Sequence, residues 1–293
     1  MSYENHGGLH PDLVLGQALP STETTITGKH LYVSIADLIM EHIFYHPAYD
    51  HASLTDIERS SIDAILGSQS ASEHFVSTLV TSISSQISDA YQAIRVSLNN
   101  ADSLAMRSLL GGGVEETEDN PALGVRGVSR YASLSYNKIF ALECNVIKQL
   151  QSLGHQIEIV VPFVRTLSDA AKVIDLLAEQ GLPRGLNGLK VLYVAEVPAA
   201  ALLTERLLHY FDGVVINLEN LTQYALGVDR HSENLQYLFD PQNEAVLSLL
   251  EQVFKTSSSN NKPAILLSTN LAEYPKVQEL ALEYNNIQVV VTM

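Results

Sequence analysis

Short apolar runs alternate with amphipathic segments along most of the chain. The runs are rich in β-branched residues and cover residues 31–36, 93–98, 156–164, 189–197, 213–218, 263–268 and 287–291. Stretches with a helical period separate the later runs, at residues 131–152, 167–181, 198–211, 243–257 and 271–284. Continuous β-branched runs separated by helices predict a parallel sheet that is buried on both faces.

Counted from Leu31, the pattern predicts eight strands, and eight β/α units close into a (β/α)₈ TIM barrel of the α/β class. Such barrels place their chemistry at the C-terminal ends of the strands. Thr166 and Asp169 predict a capped helix start, and Pro198 predicts a first helical residue. Residues 1–27 contain Gly, Pro, Ser and Thr in quantity, which predicts an irregular lead-in before a single barrel domain over residues 28–293.

Composition narrows the possible partners and the compartment. Lys and Arg number 17 against 33 acidic residues, a formal charge of −16, which argues against nucleic acid and anionic membranes as partners. The single cysteine, Cys144, excludes an internal disulfide and fits a reducing compartment. No apolar run reaches the roughly 18 residues of a membrane span, and residues 1–20 lack the apolar core of a signal peptide. We therefore expect a cytoplasmic protein.

The segment over residues 118–131, E-D-N-P-A-L-G-V-R-G-V-S-R-Y, is the most distinctive in the chain. Gly124 and Gly127 allow close backbone approach or positive φ, and Arg126 lies between them. A guanidinium held in this way suits phosphate or carboxylate. Short Gly/Arg motifs are common, however, and the spacing alone favours a tight strand-to-helix turn with a surface arginine.

This segment resembles the N-P-x-L-G-x-R-G-x-S-R-Y motif of phosphoenolpyruvate (PEP) synthases, the pyruvate, water dikinases. The resemblance continues in order through F-A-L-E-C at 140–144, V-P-F-V-R-T-L at 161–167, A-E-V-P at 195–198, Y-F-D-G at 210–213, L-T-Q at 221–223 and L-G-V-D-R at 226–230. It is dense from about residue 118 to 250 and weaker from 28 to 117. It concerns only the C-terminal PEP/pyruvate-binding barrel of that family.

The resemblance independently implies a TIM barrel of the PEP/pyruvate-binding type. It also implies that the usual final helix is lacking, because the chain stops at Met293 directly after the eighth strand. A homodimer through barrel helices is expected by the same resemblance. The N-terminal lead-in or the partner subunit would then cover the region of the eighth strand, because a bare apolar patch is costly.

The family transfers a phosphoryl group between a phosphohistidine on another domain and pyruvate, with Mg²⁺. That chemistry needs positive charge around the phosphoryl oxygens, a divalent cation and a proton source. For the phosphate, the resemblance implies contacts from Arg95, Arg126 and Arg230. Arg165 is also kept, but a salt bridge at a helix start explains it equally well. The family's first-strand arginine and glutamate correspond to Ser34 and Ala36, so one cationic contact is lost.

For the metal, Glu196 matches the first carboxylate ligand of the family. The family's S-N-D-L-T-Q corresponds to residues 218–223, where the ligand aspartate is Asn220 and Glu219 replaces the neighbouring asparagine. Mg²⁺ prefers charged oxygens in octahedral geometry, so we expect it to bind weakly if it binds at all. Adjacent residues of a strand point to opposite faces, so Glu219 is not expected to take over the role.

For the proton, the family has a cysteine in a G-I-C-G-Q turn after the seventh strand. Leu266 is nearest to that position here and cannot exchange a proton. Cys144 has helical spacing on a segment away from the strand ends, where packing explains it. We find neither an ATP-binding domain nor a phosphohistidine segment, so no catalytic set is intact and we expect the chain to be inactive alone.

Three hypotheses remain at this stage. The favoured one is a stand-alone PEP synthase-like barrel that has lost phosphotransfer and acts as a binding or regulatory pseudoenzyme for a small anion such as PEP, pyruvate or phosphate. The second is the PEP/pyruvate-binding subunit of a split phosphotransferase, whose partner proteins supply the ATP-binding and phosphohistidine domains. The third is lyase-type enolate chemistry on the same barrel.

Overall fold

Eight parallel strands close into a barrel in the computed structural model, which describes residues 8–20 and 28–291. The strands are β1 (Leu15–Leu19), β2 (His30–Ser34), β3 (Ala93–Ser97), β4 (Ile157–Val161), β5 (Val191–Ala195), β6 (Gly213–Asn217), β7 (Ala264–Ser268) and β8 (Ile287–Val291). Each strand pairs with the next in sequence order, and β8 pairs with β1 to close the ring. The predicted (β/α)₈ TIM barrel is confirmed.

The first strand of the barrel lies earlier than the sequence predicts. The seven apolar runs coincide with β2 to β8, so the count of eight strands from Leu31 is one too high, and the remaining strand lies before that residue. The missing strand is β1, inside the segment predicted to be an irregular lead-in, and that prediction is wrong for Leu15–Leu19. Its sequence, L-G-Q-A-L, has no β-branched residue. Gly16 is needed there, because a Cβ would lie 2.6 Å from Val290 Cγ2 on β8. Residues 1–7 and 21–27 lie outside the described residues.

Helices follow the strands and surround the barrel. They are α1 (Ile35–Leu38), α2 (Asp56–Leu66), α3 (Ala71–Ser84), α4 (Ser103–Arg107), α5 (Val128–Tyr131), α6 (Asn137–Ser152), α7 (Leu167–Glu179), α8 (Pro198–Leu202), α9 (Thr204–Leu207), α10 (Leu218–Leu226), α11 (Glu244–Ser259) and α12 (Pro275–Leu282). A π-helical turn covers Ile39–Ile43, and 3₁₀ turns cover Gly112–Val114, Pro121–Leu123, Leu186–Gly188, Gln236–Leu238 and Leu271–Glu273. The predicted cap of Thr166 with Asp169 and the helix start at Pro198 are both confirmed.

Alternate side chains of each strand point to opposite faces of the sheet, so the protein has two apolar cores. The larger core lies between the sheet and the helices. The smaller one fills the inside of the barrel with Ala18, Tyr32, Val160, Leu192, Val194, Val215, Ile265, Leu267 and Val290. Nearer the N-terminal ends of the strands, the barrel interior holds a polar cluster of Arg95, Glu158 and Gln288, which we call the barrel floor.

The described part of the lead-in packs beside the last strand. Leu13 is buried in the outer core, and the carbonyl of Val14 accepts a hydrogen bond from Val289 N at 2.8 Å. The backbone N–H of His10 donates to Gln278 on α12 at 2.7 Å. These contacts agree with the expectation that the N-terminal segment covers the region of the eighth strand. Within residues 8–20 and 28–291, no helix is long and apolar enough to span a membrane.

Candidate functional site

A cavity of about 1220 Å³ opens at the C-terminal ends of the strands. Its wall includes Asp37 and Glu41 after β2, Arg126 between β3 and β4, and Glu219, Asn220 and Arg230 between β6 and β7. β2 and β6 are four strands apart in a closed ring of eight, so their connections face each other across the mouth. The structure therefore brings four of the residues singled out from the sequence to one cavity, at the end where TIM barrels carry their sites.

Arg126 is held in place by neutral acceptors. Its Nε and Nη2 donate to the carbonyl of Asn100 at 3.0 and 2.7 Å, and its Nη1 donates to the carbonyl of Ala122 and to Tyr224 Oη. The guanidinium also lies 4.2 Å from the centre of the Phe163 ring. Only 8% of Arg126 is exposed, yet no carboxylate pairs with it among the described residues. Its positive charge is therefore fixed in position and is not neutralised by a direct ion pair within the described part of the chain.

Arg165 supports the Arg126 loop from outside the cavity. Its Nη1 and Nη2 donate to the carbonyls of Arg126 and Gly124 at 3.1 and 2.8 Å. Gly127 completes the turn with a φ of 56°, and a Cβ there would lie 2.5 Å from the carbonyl of Pro162. Arg165 thus shapes the loop, and it is absent from the cavity wall.

Asn99 and Asn100 form the backbone on which Arg126 rests, and Glu143 of α6 anchors them. Asn99 N donates to Glu143 Oε2 at 2.8 Å, and Tyr136 Oη donates to Glu143 Oε1 at 2.9 Å. Tyr131 Oη donates to the carbonyl of Asn99 at 2.7 Å. Complete burial raises the pKa of Glu143 to about 7, while these hydrogen bonds act in the opposite direction.

Glu196 and Asn220 meet just behind the cavity wall. Asn220 Nδ2 donates to Glu196 Oε2 at 2.6 Å, and the backbone N–H of Phe163 donates to Glu196 Oε1 at 2.7 Å. Glu196 is completely buried, and burial raises its pKa, although the charge of Arg126 acts in the opposite direction. Both carboxylate oxygens already have a protein donor.

This arrangement does not fit Mg²⁺. The ion needs several oxygen ligands in octahedral geometry and holds its waters tightly. Here the amide nitrogen of Asn220 points at the carboxylate, which places a hydrogen-bond donor where a second oxygen ligand would be needed. Among the described residues, no three His, Cys, Asp or Glu side chains are grouped so that they could hold a metal ion.

Glu219 and Asn220 both belong to the first turn of α10, capped by Asn217, and not to a strand. The strand argument about their opposite faces was therefore wrong, and both residues reach the cavity wall. Glu219 still does not join Glu196. Its Oε1 accepts hydrogen bonds from Ser268 Oγ at 2.9 Å, Thr269 N at 2.7 Å and Thr269 Oγ1 at 3.1 Å.

Arg230 follows the C-terminus of α10. Gln223 Oε1 accepts its backbone N–H at 3.1 Å, and its side-chain Nε donates to His231 Nε2 at 3.2 Å. Its Nη1 and Nη2 have no acceptor among the described residues. Arg230 therefore presents two unused pairs of donors to the cavity, a geometry that suits an oxygen anion.

Besides Arg165, two further residues predicted for the site lie elsewhere. Arg95 belongs to the barrel floor, where its Nε donates to Glu158 Oε2 at 2.9 Å and its Nη1 to Gln288 Oε1 at 2.7 Å. It does not line the cavity, and its guanidinium is turned to Glu158 and Gln288 inside the barrel. Leu266 faces the outer core, since Leu267 is the β7 residue that points into the barrel and lines the cavity.

Sequence reasoning missed Tyr224 and His231, which both line the cavity. A signal for Tyr224 was present. Asn220, Gln223, Tyr224 and Gly227 have the i, i+3, i+4, i+7 spacing of one helix face, and all four border the cavity. His231 follows Arg230 in a loop, where no periodicity marks a functional position.

Comparison with known proteins identifies close relatives of the chain. The sequence model of the PEP-utilising enzymes' PEP-binding domain matches residues 68–287. The PEP synthase of Escherichia coli K12 is 40% identical over 200 residues, covering 67% of this chain and 25% of that protein. The Pseudomonas aeruginosa PEP synthase is 38% identical over 232 residues, 78% of this chain and 29% of that protein. The Helicobacter pylori PEP synthase is 32% identical over 259 residues, 84% of this chain and 31% of that protein. The chain thus spans between a quarter and a third of the length of these relatives.

Proposed function

The chain belongs to the PEP-utilising enzymes, through their PEP-binding domain, and from this premise we propose that it binds a small carboxylate or phosphate compound related to PEP or pyruvate but does not carry out Mg²⁺-dependent phosphoryl transfer. The observation that carries the proposal is the 2.6 Å hydrogen bond from Asn220 Nδ2 to Glu196 Oε2. The buried carboxylate of Glu196 accepts a hydrogen bond from the amide of Asn220, at the place where a metal ion would need a second oxygen ligand.

The anion-binding half of the proposal rests on Arg126 and Arg230. Arg126 is fixed by carbonyl groups without a direct ion pair, and the Nη1 and Nη2 donors of Arg230, which lines the same cavity, have no acceptor among the described residues. Charge-assisted hydrogen bonds to an oxygen anion are roughly twice as strong as neutral ones. A carboxylate or phosphate group at this wall of the cavity would therefore be held even without a metal ion.

The loss of transfer chemistry rests on two separate deficits. The metal site lacks a suitable ligand set, as described above. The second deficit concerns the proton that an enolate carbon must receive or lose. The β7 residue at the cavity is Leu267, which has no exchangeable proton, and Ser268 beside it is buried and donates to Glu219. Both deficits would have to be repaired before phosphoryl transfer could occur.

Calorimetry with PEP and with oxalate, each with and without Mg²⁺, tests this function. We expect binding in the absence of Mg²⁺, no more than about a twofold gain when Mg²⁺ is added, and at least about a tenfold loss in Arg230→Ala. Metal-dependent binding, or release of pyruvate and phosphate from PEP in the presence of Mg²⁺, would contradict the proposal and favour a subunit of a split phosphotransferase.

Assembly is a separate proposal that rests on the resemblance alone. We propose a homodimer formed through the barrel helices. Light scattering at micromolar concentration should give twice the 32.1 kDa mass of one chain. A mass of one chain over that range would exclude the dimer.

A further inference from the structure

Glu219 presents a bare carboxylate oxygen to the cavity. Only 7% of the residue is exposed, and its Oε1 takes all three hydrogen bonds, from Ser268 and Thr269. Among the described residues, Oε2 has no donor, and it is not one of the polar atoms sealed away from solvent. Since Glu219 lines the cavity, Oε2 is open to a ligand there. A nearly buried carboxylate oxygen with no protein partner is an unused acceptor for a ligand's donor group.

The same cavity holds an unpaired positive group. The Nη1 and Nη2 donors of Arg230 have no acceptor in the described part of the chain, and Arg230 and Glu219 form no ion pair with each other there. Both residues belong to the connection between β6 and β7, at the start of α10 and just after its end. The fold therefore keeps two opposite charges at one wall without letting them neutralise each other.

The balance of charge around the cavity favours a ligand that carries a positive group as well as an anionic one. Five acidic side chains line it against two arginines, Arg126 and Arg230. A compound carrying only negative charge would be attracted by the arginines and repelled by Glu219, which lies on the same connection as Arg230. The repulsion disappears, and becomes an attraction, if the ligand also carries a positively charged donor.

We propose that the ligand of this cavity is a zwitterion, in which a carboxylate or phosphate group pairs with Arg230 and a protonated amine donates to Glu219 Oε2. The ligand class is that of amino acids and aminoalkyl phosphates. This inference rests on the proposed anion site and specifies its ligand. The cavity volume of about 1220 Å³ leaves room for a ligand larger than a three-carbon acid, since small-molecule pockets commonly measure about 300–1,000 Å³.

Two matched pairs of achiral probes test the proposal on the unmodified protein by calorimetry. Phosphoethanolamine is compared with 2-hydroxyethyl phosphate, and β-alanine with 3-hydroxypropionate, so that each pair differs only in amine against hydroxyl. We expect the amine of at least one pair to bind about tenfold more tightly, the effect of one hydrogen bond between charged groups. The pair that shows the preference identifies whether the anionic group is phosphate or carboxylate.

The variant Glu219→Gln should abolish that preference, reducing it to about twofold or less, because the amide keeps the shape and loses the charge. Binding of the hydroxyl compound should stay the same or become tighter. Glu41→Gln is the matched control, since Glu41 is an exposed acid on the wall of the same cavity and should change the preference by less than about twofold. Thermal unfolding shows whether Glu219→Gln is folded. If it is not, the preference of the unmodified protein for the amine over the hydroxyl compound still tests the proposal.

Equal affinity for amine and hydroxyl in both pairs overturns the zwitterion and leaves the anion site standing, provided that PEP or oxalate binds and the binding depends on Arg230. A preference that survives in Glu219→Gln also overturns it, because some other group would then recognise the amine. Failure of all four probes together with PEP and oxalate would remove both the anion site and the inference that rests on it.

Discussion

The barrel floor and the cavity wall use the same residue types in opposite ways. On the floor, Arg95 donates to Glu158 at 2.9 Å, and Lys190 donates to the other oxygen of Glu158 at 3.0 Å. At the wall, Arg230 and Glu219 lie on one connection and remain unpaired with each other. A buried charge that is paired within the protein is not available to a ligand, whereas an unpaired one is, and removing one member of such a pair is costly. The chemistry of a residue is thus decided by its partners, and not by its type.

Arg126 shows that a guanidinium can have its hydrogen-bond donors used without having its charge paired with a carboxylate. It is buried almost as deeply as Arg95, and most of its donors are used. Its acceptors, however, are carbonyl and hydroxyl groups that carry no net charge. The guanidinium is therefore held in one position without a direct ion pair. This preorganised positive charge suits recognition of an anion.

Removing the ion pair of Arg95 and Glu158 in the barrel floor should have the largest effect on stability. Arg95→Met leaves Glu158 nearly buried without its guanidinium partner, which should lower the free energy of unfolding by about 3–5 kcal/mol in urea denaturation. Affinity for PEP or oxalate should be unchanged in the folded fraction. The control Arg95→Met with Glu158→Leu should recover much of the loss. Equal stability of Arg95→Met and the unmodified protein would show that the floor pair contributes nothing.

A carboxyl group that supports the wall should make stability depend on pH. The folded-state pKa of Glu143 is about 7 against an ordinary value of 4.5. Between these values the folded chain binds a proton that the unfolded chain has lost, so its stability falls as the pH rises through this window. The contribution amounts to about 3 kcal/mol. Because glutamine does not titrate, the free energy of unfolding of Glu143→Gln should rise by about that much relative to the unmodified protein between pH 4.5 and 8. Parallel pH profiles of the two proteins would contradict this.

Restoring a carboxylate behind the wall should create a dependence on metal. Asn220→Asp would place two carboxylates at the 2.6 Å contact now made by the amide. In the absence of Mg²⁺ the variant should lose about 2 kcal/mol, a Tm lower by about 4–8 °C. Millimolar Mg²⁺ should recover part of that loss in the variant and leave the Tm of the unmodified protein unchanged. A rise in Tm of the unmodified protein with Mg²⁺ would show that Glu196 and Asn220 already bind the ion.

The smallest effect on stability is expected at the wall itself. Among the described residues, the guanidinium of Arg230 makes one weak contact, with His231, so Arg230→Ala should change the free energy of unfolding by less than about 0.5 kcal/mol. The same variant should lose anion affinity, as proposed above. Arg95→Met provides the contrast, since it should do the reverse. A large loss of stability in Arg230→Ala would mean that Arg230 has a structural partner.

Much of the architecture could be predicted from the sequence because it depends on periodicity and local chemistry. Seven of the eight strands are apolar runs that are buried on both faces, and such runs are visible in a linear pattern. Thr166, Asp169 and Pro198 mark helix starts through contacts within a few residues. β1 could not be found in the same way, since its five residues lack β-branched side chains and are stabilised by β2 and β8.

The arginine and carboxylate positions were partly predictable, and their roles were not. The family resemblance carried by the motif with Gly124, Arg126 and Gly127 implied a residue for anion binding, and Arg126 lines the cavity. Arg95 was implied by the same resemblance. The strand register, however, places Arg95 beside Glu158 on the neighbouring strand, where the two form a structural ion pair. One residue of register separates Leu266 from Leu267, and that decides which of them meets the cavity.

The sequence by itself determined the strand and helix alternation, the acidic balance, and the presence of an amide at Asn220. The tertiary structure alone decided that Asn220 donates to Glu196 and that, within residues 8–20 and 28–291, Glu219 keeps one oxygen free and Arg230 has no ion-pair partner. The physical reason is that periodicity and caps arise from neighbours in sequence, whereas the state of a buried charge depends on donors and acceptors 24 to 63 residues away, as in Asn220 with Glu196 and Arg95 with Glu158.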